Sequence, residues 1–187
     1  MTQELKEKLN RIKAVIFDGD GVFFTGRVFV SPETGEAMKE RSHVDGQGIS
    51  LLRGIGLRVA IISGEKTGFL ERIGEKLNSL PSVKDGTWPP VGIFTGHQAG
   101  QKVDIIQNWL DECGIKWEEC AAMGDDLADL QILEKVGFPA APAQAETIIK
   151  EICDFVAPRE GGDGAIRDLS NLILEAKGIN VRSLKLR

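Results

Sequence analysis

The stretch Ala14-Val15-Ile16-Phe17-Asp18-Gly19-Asp20-Gly21 decides how the rest of the chain is read. Its four apolar residues are too few for a helix and suit a strand buried on both faces. The run stops at a glycine-containing turn, so two carboxylates stand at the carboxyl end of a core strand. The pattern returns twice: Arg58-Val59-Ala60-Ile61-Ile62 ends at Ser63-Gly64, and Cys120-Ala121-Ala122-Met123 ends at Gly124-Asp125-Asp126.

Around these strands lie helical patterns: residues 2–11, Ile49 to Arg53 closed by Gly54 or Gly56, and Glu65 to Leu77 with Phe69, Leu70, Ile73 and Leu77 on one face. Lys102 to Cys113 and Leu127 to Val136 follow, the latter ending at Gly137. Strands alternating with helices predict an α/β fold, a Rossmann-like parallel sheet flanked by helices and joined by right-handed crossovers. Ligands of such sheets sit at the carboxyl ends of the strands. Phe138 to Ala141 and Asp154 to Val156 are expected as edge strands. Between the first strand and the next helix, residues 27–42 read as a β-hairpin turning at Pro32 to Gly35 and projecting beyond the sheet. Asn78 to Gly100 is rich in Pro and Gly and shows no helical period, with Gly92-Ile93-Phe94 as a brief strand.

With 187 residues, 42% hydrophobic and 27% charged, the composition suits one soluble globular domain over residues 1–187. The opening MTQELKEKLNRIK is polar and amphipathic, and no apolar run reaches the roughly 18–20 residues that span a bilayer. The expectation is a cytoplasmic protein without a membrane partner. Cys113, Cys120 and Cys153 form no CxxC pair, which disfavours a disulfide framework or a structural zinc. A net charge of −5 argues against nucleic acid, although Lys177, Arg182, Lys185 and Arg187 make a small basic tail at about 176–187.

Carboxylates converging on one sheet edge repel each other and call for a hard cation between them; magnesium, which takes oxygen ligands and shares phosphates, fits. Two Asp residues across a tight turn can face one ligand, one attacking phosphorus while the other handles the proton of the leaving oxygen. Ser63 with nearby backbone N–H groups, and Lys102 opening a helix, can meet the charge that spreads over a phosphoryl group in transfer. Each piece alone is common in turns, strand ends and helix caps, and it is their order along the chain that carries the inference. His43 and His97 read as ordinary polar residues, and Trp109 as core.

VIFDGDGV, AIISGE, the helix-opening Lys102 and AAMGDDLADLQIL resemble, in order, the four motifs of the haloacid dehalogenase superfamily. The hairpin, HVDGQGISLL, GDDLADL and REGGDGAIRD resemble more closely its phosphatases of 3-deoxy-ulosonate sugars, acting on octulosonate 8-phosphate or nonulosonate 9-phosphate, over about residues 12–175. The resemblance implies Asp18 as nucleophile, forming an aspartyl-phosphate, and Asp20 as general acid and base. It implies magnesium held by Asp18, Asp125 and the backbone carbonyl of Asp20, with Asp126 in support, and phosphate held by Ser63, Gly64 and Lys102. It also implies a homotetramer without a cap domain, in which the hairpin and a neighbour's tail, beginning at REGGDGAIRD, close each site. Glu65-Lys66-Thr67 with Arg72 looks like the nine-carbon branch, where Glu would meet sugar hydroxyls and Lys or Arg a carboxylate. The chain departs from the family at Phe24-Thr25-Gly26, where Thr-Asp-Gly is usual, and in its longer Asn78 to Gln101 stretch. The alternatives are a non-catalytic assembly or regulatory domain of the same fold, a receiver-like signalling domain, and a phosphatase for an unrelated small phosphate ester. Repeated phosphate release separates an enzyme from the first two.

Overall fold

The computed structural model describes residues 1–184; Lys185 and Arg187 of the basic tail lie outside the described residues. In chain order the elements are α1 (Gln3–Arg11), β1 (Ala14–Asp18), β2 (Val28–Ser31), β3 (Gly35–Lys39), α2 (His43–Gly54), β4 (Arg58–Ile62), α3 (Phe69–Asn78), α4 (Pro81–Lys84) and β5 (Val91–Phe94). They continue with α5 (Ala99–Cys113), β6 (Cys120–Met123), α6 (Leu130–Leu133), β7 (Phe138–Ala141), α7 (Thr147–Ile152), β8 (Phe155–Val156) and α8 (Ala165–Ala176). The expected Rossmann-like sheet is present: six parallel strands in the order β5-β4-β1-β6-β7-β8, with β2 and β3 forming a separate antiparallel hairpin.

The alternation of strand side chains explains why both faces need helices. In β1, Val15 and Phe17 join a core with Leu9, Ile49, Leu70 and Leu169, drawn from α1, α2, α3 and α8. Ala14 and Ile16 join the opposite core with Ile106, Ile132 and Ile149, from α5, α6 and α7. Every residue of β1 is buried, so truncating Phe17 to Ala would cost about 3–5 kcal/mol.

Strand order decides where the site lies. β1 is flanked by β4 on one side and β6 on the other, with Asp18 paired to Ile62 and Phe17 to Met123. The chain winds outward from β1 to β4 and β5, then returns to β6, leaving a crevice at the carboxyl ends where the winding reverses. The loops after the three core strands meet there.

Several boundaries differ from the sequence reading. α2 begins at His43 instead of Ile49 because Ser42 caps it, its Oγ accepting from the Val44 N–H at 3.1 Å. α3 begins at Phe69 instead of Glu65, since Gly68 stands in the left-handed region at its N-cap and residues 63–65 are held in a turn by the Glu65 N–H donating to Ser63 Oγ at 3.0 Å. Leu127 to Val136 is no continuous helix: a 3₁₀ turn over Leu127–Asp129 precedes α6, and Asp129 turns inward. β7 lies inside the sheet between β6 and β8 instead of at an edge; the edges are β5 and β8.

The Pro- and Gly-rich stretch after α3 contains the short helix α4, which its pattern did not show, and edge strand β5, which includes the expected Gly92-Ile93-Phe94. Buried Arg53 pins it, donating to the main-chain oxygens of Pro89 at 2.8 Å and Leu77 at 3.2 Å, with Trp88 stacked 5.7 Å away. With no carboxylate beside it in these contacts, burial pushes its pKa down to about 10. REGGDGAIRD does not open a free tail. It leads into α8, which packs on α2, and buried Asp45 of α2 accepts from the N–H groups of Gly164 at 2.9 Å and Arg167 at 3.2 Å. Asp45 thus caps a helix distant in sequence, a structural reason for HVDGQGISLL and REGGDGAIRD to occur together.

Candidate active site

The loops after β1, β4 and β6 and the first turn of α5 enclose one cleft, lined by Asp18, Asp20, Ser63, Gly64, Glu65, Lys102, Asp125, Asp126 and Asp129 among others. Asp18 is buried at the end of β1. Lys102 Nζ donates to its Oδ1 at 2.5 Å, and the Asp20 N–H donates to its Oδ2 at 2.9 Å. The same Lys102 donates to Asp129 Oδ1 at 2.7 Å, and Asp129 Oδ2 accepts from the Asp125 N–H at 3.1 Å. Lys102 therefore stands between two buried carboxylates. Asp20 is gripped from two sides: Ser63 Oγ donates to its Oδ2 at 2.9 Å and Lys39 Nζ to its Oδ1 at 2.7 Å.

Two glycines make this crowding possible. Gly21 has φ of 85°, and a Cβ there would collide with the Asp125 carboxylate. A Cβ on Gly124 would collide with Asp129. Both are positions where carboxylate-bearing loops approach too closely for any side chain.

The electrostatics fit a divalent cation. Asp18, Asp125 and Asp129 each offer an oxygen within 4.8 Å of the others, and the only cation bonded to this trio is Lys102 among the described residues. Burial, then the neighbouring Asp129, pushes the Asp18 carboxyl well above the usual range, against the pull of Lys102. Burial, then Asp129 and Asp126, pushes Asp125 up to about 7. Burial works against the charge on Lys102, but Asp18 and Asp129 more than offset it and its pKa lies above the ordinary lysine value. Three carboxylates against one ammonium leave an excess of negative charge in a half-closed, all-oxygen site, the donor set that magnesium takes.

Not every expected residue joins the cluster. Asp126 lines the cleft but is exposed at its rim, its Oδ1 accepting from the Leu127 N–H at 2.6 Å, and the buried group that joins Asp18 and Asp125 is Asp129. The four-residue step from Asp125 to Asp129 was the available signal, because such a step returns to the same side of a helical turn. Glu65 lines the cleft. Lys66 does not, its stem lying against Gly96. Arg72 points away from the cleft, its Nη1 2.9 Å from Glu75 and its side chain 85% exposed. Lys39 reaches Asp20 from the hairpin, and no local pattern in the sequence marks it.

The haloacid dehalogenase-like hydrolase family matches residues 61–167, and the chain belongs to that family. Within it, the 3-deoxy-D-manno-octulosonate 8-phosphate phosphatase of Haemophilus influenzae is 32% identical over 178 residues, covering 93% of this chain and 89% of that protein. The crystal structure of the Yersinia pestis 3-deoxy-D-manno-octulosonate 8-phosphate phosphatase superposes with a TM-score of 0.85 at 25% identity, covering 100% of this chain and 93% of that one. The Moraxella catarrhalis enzyme of the same name, in complex with magnesium, phosphate and KDO, superposes with a TM-score of 0.82 at 26% identity, covering 95% and 94%.

Proposed function

We propose that this protein is a magnesium-dependent phosphatase acting on a 3-deoxy-ulosonate phosphate, with Asp18 as nucleophile and Asp20 as general acid and base. The observation that carries the reading is the grouping of Asp18, Lys102, Asp125 and Asp129 at one sheet edge, with Asp20 beside it. A Asp18 oxygen bonds to phosphorus as the bond from phosphorus to the sugar oxygen breaks, and the proton of Asp20 goes to that leaving oxygen. Asp20, now a carboxylate, takes a proton from water; the water oxygen bonds to phosphorus, the Asp18–phosphorus bond breaks, and inorganic phosphate leaves. Ser63, the Gly64 backbone and Lys102 hold the phosphoryl oxygens, and Lys102 also fixes the attacking carboxylate. Asp18, Asp125 and the main-chain carbonyl of Asp20 would hold magnesium, which supplies positive charge to the phosphate when bound.

The relatives named for octulosonate 8-phosphate make the eight-carbon sugar the first substrate to test. A nine-carbon preference is supported within one chain by Glu65, which lines the cleft, while Lys66 and Arg72 lie outside the cleft of their own chain. The hairpin exposes Val28 at 39%, Phe29 at 62%, Val30 at 69% and Met38 at 57%, which supports its use as a subunit interface in a homotetramer. No helix among the described residues is long and apolar enough to cross a membrane.

The deciding experiment is phosphate release from a panel of ulosonate phosphates with and without magnesium, in the parent and in Asp18→Asn. Many turnovers with magnesium, lost in the variant while its circular dichroism is unchanged, support the proposal. Near-normal turnover by Asp18→Asn removes Asp18 from the nucleophile role, and a single turnover by the parent favours a receiver-like or regulatory domain.

A further inference from the structure

Lys39 closes the second hairpin strand, yet its ammonium is turned to the sheet edge. Its side chain is 3% exposed, and Nζ lies 2.7 Å from Asp20 Oδ1 and 3.2 Å from Glu36 Oε2. The Phe24 ring sits 5.6 Å away and screens the pair from one side. Burial works against the charge on Lys39, but Asp20 and Glu36 more than offset it and its pKa lies above the ordinary lysine value. The pair ties the hairpin to a carboxyl that lines the cleft.

The second grip on Asp20 shows what that tie does. Ser63 Oγ carries one proton, which it now gives to Asp20 Oδ2. If Ser63 turns that proton to a phosphate oxygen, as the phosphatase reading requires, Asp20 loses this contact and Lys39 is the remaining side chain that holds it among the described residues. We infer that Lys39 is a positioning residue: it fixes the Asp20 carboxyl where that group can serve the leaving oxygen, which makes the hairpin part of the catalytic apparatus. The inference rests on the phosphatase reading and adds a residue to it.

The test compares two leaving groups in four proteins: the parent, Lys39→Met, Asp20→Asn and the double variant, all in magnesium. On a sugar phosphate, whose alkoxide needs a proton to leave, Lys39→Met should lose about 10–100-fold in kcat/KM, which reports formation of the aspartyl-phosphate. On p-nitrophenyl phosphate, whose phenolate leaves unaided, the loss in kcat/KM should be under about threefold, because the later attack of water does not enter that ratio. In the Asp20→Asn background the Lys39→Met loss should vanish, since a residue that acts through Asp20 has nothing left to position. Lys39→Arg, which keeps the charge, should recover part of the sugar-phosphate rate. Equal losses in kcat/KM on both esters, or an undiminished loss in the Asp20→Asn background, overturn the inference and leave Lys39 as a hairpin anchor. Should Lys39→Met fail to fold, Lys39→Gln carries the same comparison. A parent inactive on every ester overturns the phosphatase reading itself, and the inference with it.

Discussion

The acidic cluster should make the metal-free protein less stable as pH rises, and Asp125→Asn should relieve that. Asp125 titrates near 7 in the folded chain, raised first by burial and then by Asp129 and Asp126. Unfolded, it titrates near the ordinary aspartate value of about 3.9. A carboxyl whose folded pKa is raised binds its proton more tightly in the folded state. Stability is therefore present in full below about pH 4, falls as pH rises toward about 7, and is flat above. The full cost of ionising it amounts to about 4 kcal/mol. One flank of Asp125 meets solvent, and discounting by about half leaves about 2 kcal/mol. For a chain of this size that corresponds to a melting temperature about 4–8 °C higher for Asp125→Asn than for the parent, in EDTA at pH 8. The gap should narrow as pH drops to 4. Magnesium should reverse the order, because it binds the ionised parent and stabilises it by mass action while the variant gains little. Melting both proteins at pH 4, 6 and 8, with EDTA or magnesium, checks each part. A variant that melts at or below the parent in EDTA at pH 8, or a gap that does not change with pH, would refute the reasoning.

Asp20→Asn should lose roughly 10²–10⁴-fold in kcat/KM on a sugar phosphate and far less on an activated aryl phosphate; equal losses in kcat/KM argue against its acid role. Asp129→Ala should weaken magnesium binding and turnover at least tenfold, on the roughly 10–100-fold scale of groups that support metal ligands, whereas Asp126→Ala should change both little. Titrating magnesium against initial rate ranks the two, and the reverse order would return Asp126 to the supporting role. Light scattering should report about four chains, and Val30→Lys on the hairpin should lower that number. A parent that is an active monomer at micromolar concentration refutes the assembly.

The core strands were legible in the sequence because burial on both faces leaves a contiguous apolar run, and a run must end where polar groups reach solvent. Asp18, Ser63 and Asp125 stand at such ends, and Lys102 stands in the first turn of the helix that follows β5, so the order of the motifs located them before any geometry. Asp129 was half visible, through its four-residue step from Asp125. Only the tertiary structure decided the remainder. Whether β7 is an edge or an interior strand depends on which side of β1 the chain returns to, and local periodicity carries no record of that. The helix expected over Leu127 to Val136 is interrupted where Asp129 turns in to Lys102, a contact 27 residues away in sequence. Arg72, beside the motif in sequence, lies on the exposed side of α3, where it pairs with Glu75. Lys39 meets Asp20 because the hairpin folds back over the end of β1. The sequence by itself determined the strands and the chemistry at their ends, since those follow from each residue's own polarity and its near neighbours. Which charged groups meet there was decided by the packing of segments distant along the chain, which no short stretch encodes.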